Sequence, residues 1–210
     1  MTVERIHKKQ YWPYVPLFGI PCFVLLYLIA SLYYPGGSQA DQHALGFSWT
    51  HNYWCNLLNH KAINGQVNHA QPIAVAAMVV LCISLTVFWY SFPACTAAKK
   101  GHQQLVRYSG SLAMVAASLL GVLEHDWVTN IASLLGIIAV IGTLIILKKE
   151  GWRFLFGYGV VNMLLVGLNN LFYYNQHLIY YLPIVQKITF ASFLLWLWLM
   201  TYYAKRKHID

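Results

Sequence analysis

The chain has 210 residues, of which 59% are hydrophobic and only 10% charged, and its formal net charge is +8. An ordinary water-soluble domain carries about a quarter charged residues, so this balance excludes that class and leaves an integral membrane protein read as a single domain over residues 1–210. The basic excess accompanies no nucleic-acid-binding motif; it suits the anionic lipid of an inner leaflet, which makes membrane lipid the expected partner and nucleic acid not.

A hydrocarbon core about 30 Å thick is crossed by roughly 20 apolar residues in a helix. Six runs approach that length, at about 14–34, 72–92, 105–123, 127–147, 152–173 and 178–204. They are continuous rather than alternating, which excludes a β-barrel, and apolar nearly all round, which excludes helices of a soluble bundle. The expected fold is all-α, a six-helix transmembrane bundle. "MTVERIHKKQYW" before the first run resembles a signal-peptide start, but that run ends in "YYPGG" instead of a small-residue cleavage site, so it reads as an uncleaved anchor.

Basic residues are retained on the cytoplasmic side. Arg5, Lys8 and Lys9 precede the first run; Lys99, Lys100 and Arg107 lie around the second junction; Lys148, Lys149 and Arg153 lie around the fourth; Lys205, Arg206 and Lys207 follow the sixth. This distribution predicts a protein of the cell (inner) membrane with both termini cytoplasmic, and it isolates Lys61 and Lys187 as exceptions. Cys22, Cys55, Cys82 and Cys95 form no metal or redox spacing and read as small apolar side chains.

The connections are short except for the outer loop 35–71, too long to be structureless in a compact domain without a use. After the turn signal "YPGGSQAD", the segment "GFSWTHNYWCNLLNHK" puts Phe47, Thr50, Trp54, Leu57 and Leu58 on one side at helical spacing and Asn52, Asn56, Asn59 and His60 on another. This pattern predicts an outer interfacial helix over 48–60 with Ser48 as N-cap, its aromatic rings at the membrane surface. Either it caps a site at the outer end of the bundle or it is an ordered connector.

Polar groups at membrane depth mark the candidate site, because a charge there is costly unless paired or hydrated. Lys187 is nine residues into the last run, roughly 13 Å below the surface at 1.5 Å per residue. Asn162 and Asn169, seven apart on the fifth run, share a face and bracket the same depth. The turn "LEHDWVTN" supplies Glu124, His125 and Asp126 within reach of the same outer-half pocket; Asp126 also suits an N-cap. Lys187, Glu124 and Asp126 are therefore the candidate catalytic groups, with a structural ion pair as the other use of the same charges. Asn52, His60, His69, Asn162 and Asn169 are the candidate ligand contacts. His60, His69 and His125 could hold a divalent metal such as zinc together with a carboxylate, although no H-x-x-x-H or H-E-x-x-H pair is present.

"YPGG", "GFSWTHNYWCNLL" and "NGQVNHAQP" over residues 34–75 resemble a widespread group of uncharacterised six-span bacterial membrane proteins with a Tyr-Pro-Gly-Gly turn, an aromatic "HN" segment and an Asn-Gly…Asn element after the first span. The motif maps onto Tyr34, Pro35, Gly36, Gly37, His51, Asn52, Asn64, Gly65 and Asn68. In layout the chain is also similar to the DRAM/Sfk-type six-span proteins. A more distant comparison is with the alkaline ceramidase and adiponectin-receptor-like superfamily of zinc-dependent lipid amidases, whose last-span H-x-x-x-H is replaced here by Lys187. These likenesses imply architecture. The function expected from the residues is an outer-half polar pocket for an amphiphilic, lipid-like ligand or substrate, in a membrane-embedded hydrolase or transferase. The alternatives are a proton-coupled small-molecule transporter and a non-catalytic sensor or scaffold.

Overall fold

The computed structural model describes residues 11–119 and 125–207, excluding the side chains of His125 and Asp126. It is all-helical, with no strand among the described residues. The six long helices are α1 (Tyr14–Leu32), α2 (Gln71–Ser91), α3 (Lys100–Ser118), α4 (His125–Lys149), α5 (Arg153–Tyr174) and α6 (Leu182–Lys207). Short 3₁₀ turns occupy Trp54–Leu58, Phe92–Cys95 and Ile179–Tyr181. Pro72 sits in the first turn of α2, where a missing N–H costs nothing. Lys148 and Lys149 close α4, and Lys205, Arg206 and Lys207 close α6, each set placing cations against the negative end of a helix.

Five segments are long and apolar enough to cross a membrane: Tyr14–Leu32, Gln71–Cys95, Trp127–Lys149, Arg153–Tyr174 and Ile179–Lys207. α3 is not among them. Its first two turns carry Lys100, His102, Gln103, Gln104 and Arg107, and the far end of the expected run 105–123 passes beyond the described residues. Arg107 curls back to donate from Nε to the Tyr90 carbonyl at 2.8 Å and lies over the Tyr90 ring.

Each helix packs on its neighbours in chain order, and α6 returns to α1, so the chain closes an up-and-down ring. The crossings rest on small residues and indole hydrogen bonds, the devices available where solvent cannot drive helices together. At Gly110 an added Cβ would stand 2.4 Å from the Trp89 ring, so α3 approaches α2 closely only because that atom is missing. Trp196 donates to Leu155 O at 2.8 Å and Trp198 to Leu17 O at 3.1 Å, tying α6 to α5 and α1. Leu25, Leu28, Ile83, Leu112, Leu134 and Leu164 point outward and are exposed, a surface suited to hydrocarbon and not to water. Exposed aromatics ring both ends: Trp49, Tyr173, Tyr174, Tyr180 and Tyr181 at one, Tyr14, Tyr90, Tyr202 and Tyr203 at the other.

The two ends differ in charge and in packing. One end collects Lys99, Lys100, Lys148, Lys149, Arg153, Lys205, Arg206 and Lys207; the other carries the long loop and Lys61. At the loop end α1 and α2 are fully packed, with Phe23, Tyr27, Ala30, Ala74 and Ala77 buried. Across the ring, no residue of α5 beyond Asn162 is buried, and none of α4 from 129 to 138. The bundle is tight on the side the loop covers and open on the other.

Glu150 closes the basic end. It accepts from Lys207 Nζ at 2.9 Å and from the Ala97 backbone N–H, while Lys207 also lies over the Trp152 ring. Partial burial alone would raise the Glu150 pKa; the hydrogen bonds from Lys207 and Ala97 and the Lys207 charge outweigh it and leave the carboxyl below its ordinary value. A carboxyl with a depressed folded pKa contributes stability that is full above its unfolded pKa and disappears as pH falls through the folded one. Thermal unfolding in detergent should therefore show the wild type losing stability on acidification over that window, with the acid loss reduced in Glu150→Gln.

Candidate functional site

The loop of residues 35–70 folds into a cap held mainly by asparagine side chains. The Tyr-Pro-Gly-Gly turn enters it with Tyr34 buried and Gly37 at φ +83°, in the left-handed region. An added Cβ on Gly37 would lie 2.4 Å from the Asn64 backbone nitrogen, so both the angle and the space require glycine. Tyr34 meanwhile accepts the Ile63 N–H on its hydroxyl at 3.1 Å, joining the two ends of the loop.

The expected interfacial helix over 48–60 does not form. Ser48 does cap a turn, accepting the His51 N–H at 3.2 Å, and Asn52 N–H reaches Ser48 O at 2.9 Å. The turn stops there, and the Asn52 side chain ties it down: its Oδ1 accepts the Ser48 N–H at 2.8 Å and its Nδ2 donates to Gly37 O at 2.8 Å. Tyr53 is then extended, at ψ 155°, before the 3₁₀ turn Trp54–Leu58. Short polar side chains bond the local backbone in this way.

Nor does the aromatic side lie at a surface. Trp54 inserts against α1 and α6, its ring 4.8 Å from Tyr27 and 5.4 Å from Phe190, and its backbone N–H donates to Gln186 Oε1 at 3.2 Å. Asn68 holds the next stretch: its Nδ2 serves the carbonyls of Asn56, Leu57 and Asn59 at 3.1, 3.1 and 2.8 Å, and its Oδ1 accepts the Ala70 N–H at the start of α2. Asn52 and Asn68 are both buried, so the cap has a polar interior satisfied almost wholly by its own backbone. Two buried side-chain atoms there have no partner, Trp54 Nε1 and Asn56 Oδ1.

Lys187 joins the cap to α6. Its ammonium donates to Asn52 O and, at 3.0 Å, to Pro183 O one turn back, and it stands 5.6 Å from the Phe47 ring centre. These acceptors are neutral; among the described residues the one ion pair is that of Lys207 with Glu150. Burial pushes the Cys55 thiol above its ordinary value, opposed by its own backbone N–H and by the charge of Lys187.

The remaining expected site residues are dispersed. Asn162 and Asn169 do share a face of α5, but Asn169 donates to Thr189 Oγ1 on α6. Thr189 is two residues, about 200° of helix rotation, from Lys187, so the asparagines and the lysine face different sides of α6 and do not line one pocket. Asn162 is buried, donates to Tyr158 O at 3.0 Å and keeps its Oδ1 without a partner. His60 and His69 are exposed on the cap, His60 Nδ1 lying 3.3 Å from Gln71 Oε1. Glu124 lies outside the described residues, as do the side chains of His125 and Asp126. Among the described residues no group of three or more His, Cys, Asp or Glu side chains comes together to suit a metal.

A further constellation has no counterpart in the expected residues. His51 Nε2 is 2.7 Å from the hydroxyl of Tyr180, on the turn before α6, and His51 Nδ1 is 3.2 Å from Ser48 Oγ and 3.0 Å from Thr50 Oγ1. Its only trace in the sequence is the "HN" of the loop motif.

Nothing matches the chain among known protein families, curated proteins or solved structures. The likeness of residues 34–75 to the six-span bacterial group therefore rests on the loop motif alone.

Asn68→Ala strips three carbonyls and one N–H of their partner. At about 1–3 kcal/mol for a buried group left unsatisfied, the unfolding free energy should fall by roughly 2–4 kcal/mol, measured by denaturant unfolding in micelles. His60→Ala, at an exposed position, should leave it nearly unchanged.

Proposed function

We propose that this is an integral membrane protein whose loop end binds the anionic head of an amphiphile, with Lys187 as the charged contact and the basic end in the cytoplasm. The observation that carries this reading is the Lys187 ammonium, half-buried within α6 and bonded to the carbonyls of Asn52 and Pro183 with no carboxylate among its described contacts. A cation at this depth is expensive unless matched, and two neutral dipoles position it without cancelling its charge. An ammonium has three N–H donors. Two are used by the carbonyls, and the third is available to a phosphate or carboxylate oxygen.

The setting favours a lipid-like molecule over a soluble anion. Trp49, Tyr180 and Tyr181 are exposed around the cap at the level where headgroups lie. On α6 itself, Ile184 and Ile188 flank Lys187 and are exposed, so an alkyl chain has apolar surface to lie against there. The cap itself is too firmly bonded to act as a mobile lid; it serves as a fixed wall that presents the lysine.

Lipids that stay with the detergent-purified protein, identified by mass spectrometry, test this directly. The wild type should retain anionic lipid, and Lys187→Gln, which keeps an N–H for the carbonyls but removes the charge, should lose it. Added phosphatidylglycerol should raise the melting temperature of the wild type alone, since a ligand at about 100 times its Kd stabilises by about 2.7 kcal/mol. Equal retention by the two proteins would refute the reading.

A further inference from the structure

We infer that the cap carries a serine–histidine hydrolytic centre, Ser48 and His51, acting on a carboxylic ester of the amphiphile held at Lys187; this rests on the binding proposed above. The plain use of Ser48 Oγ is to cap the turn by accepting the His51 N–H. That does not require the imidazole to be engaged on both nitrogens, yet Nδ1 faces Ser48 Oγ at 3.2 Å and Nε2 faces the Tyr180 hydroxyl at 2.7 Å, across 129 residues of chain. A nucleophile within reach of a base, and the base fixed by a third group, is the arrangement that activates a serine.

With the Nε2 proton donated to Tyr180, Nδ1 keeps its lone pair toward the hydroxyls. Thr50 Oγ1 competes for it at 3.0 Å, but Thr50 is exposed while Ser48 is half-buried, and the capping N–H from His51 favours developing negative charge on Ser48 Oγ. Next along the chain, Asn52 O binds the Lys187 ammonium, which puts a positive charge beneath the same turn. The level is also suitable. The exposed rings of Trp49, Tyr180 and Tyr181 mark the membrane interface, and the ester carbonyls of a lipid lie just below its headgroup.

The step balances without a cofactor. Ser48 Oγ attacks the ester carbonyl carbon as its proton passes to His51 Nδ1. The tetrahedral intermediate then breaks its bond to the alcohol oxygen, which takes that proton and leaves. Water, losing a proton to His51, attacks the acyl-serine and releases the carboxylic acid, and the proton returns to Ser48. Tyr180 touches no reacting atom; it is a positioning residue that holds the imidazole.

The test uses the full chain in detergent with a fluorophosphonate probe, peptide mapping, and fatty-acid release from phosphatidylglycerol. Ser48 should be labelled and fatty acid released. Ser48→Asn, which keeps a capping side chain but no nucleophile, should abolish both, and His51→Gln should reduce both by about 100-fold or more, each with the wild-type melting temperature. Tyr180→Phe should lower kcat with KM unchanged, which loss of a merely structural contact would not produce. Thr50→Ala should retain labelling. An unlabelled Ser48 in folded protein, or release that survives Ser48→Asn, overturns the hydrolase. If anionic lipid is still retained in that case, the binding site stands; if the wild type retains none, the binding reading fails as well.

Discussion

A lysine within a long apolar helix needs acceptors, and Lys187 takes one of them from a loop 135 residues earlier in the chain. That bond fixes much else at the loop end. At Asn52 the chain leaves the Ser48 turn and runs extended through Tyr53. The Asn52 side chain holds the segment in place by accepting the Ser48 N–H and donating to Gly37 O, and Gly37 presents its carbonyl there from a backbone angle and a space that only glycine accepts. The same stretch then inserts Trp54 between Tyr27 and Phe190. The cap is thus part of the core that α1, α2 and α6 enclose.

Packing is uneven as a consequence. Where the cap seals the ring, aromatic and small residues are buried; where it does not reach, residues 129–138 of α4 and the part of α5 beyond Asn162 have no buried position. The lysine lies on the sealed side, with the interface aromatics around it. A firmly bonded cap that presents a half-buried ammonium among exposed aromatic rings would suit the head of an amphiphile. Stability and recognition would then draw on the same few groups, with the Asn52 and Pro183 carbonyls both satisfying Lys187 and aiming it.

The helical architecture was legible in the sequence because long apolar runs permit little else, and five of the six helices have the length and composition to cross a membrane. The half-buried position of Lys187 was legible too, as a charge inside an apolar run. Two of its acceptors were not: they are the backbone carbonyls of Asn52 and Pro183, which no side-chain pattern advertises. Asn162 and Asn169 share a face of α5, but their spacing says nothing of which side of α6 they meet, and Thr189 takes Asn169 to the side away from Lys187. The segment 48–60 misled for a specific reason. Its apolar spacing suits a helix, but Lys187 draws on Asn52 O and Asn68 takes up the carbonyls of Asn56, Leu57 and Asn59 from outside the segment, and periodicity does not register such partners.

Hydrogen–deuterium exchange of the protein in lipid nanodiscs, resolved over residues 48–70, measures most directly whether the cap belongs to the core. The amides of Asn52, Asn56, Asn68 and Ala70, all buried residues, each donate a hydrogen bond within the cap or at the start of α2. They should exchange as slowly as those of α1 and α2. Exchange at the rate of a free interfacial loop would contradict a cap anchored through Lys187.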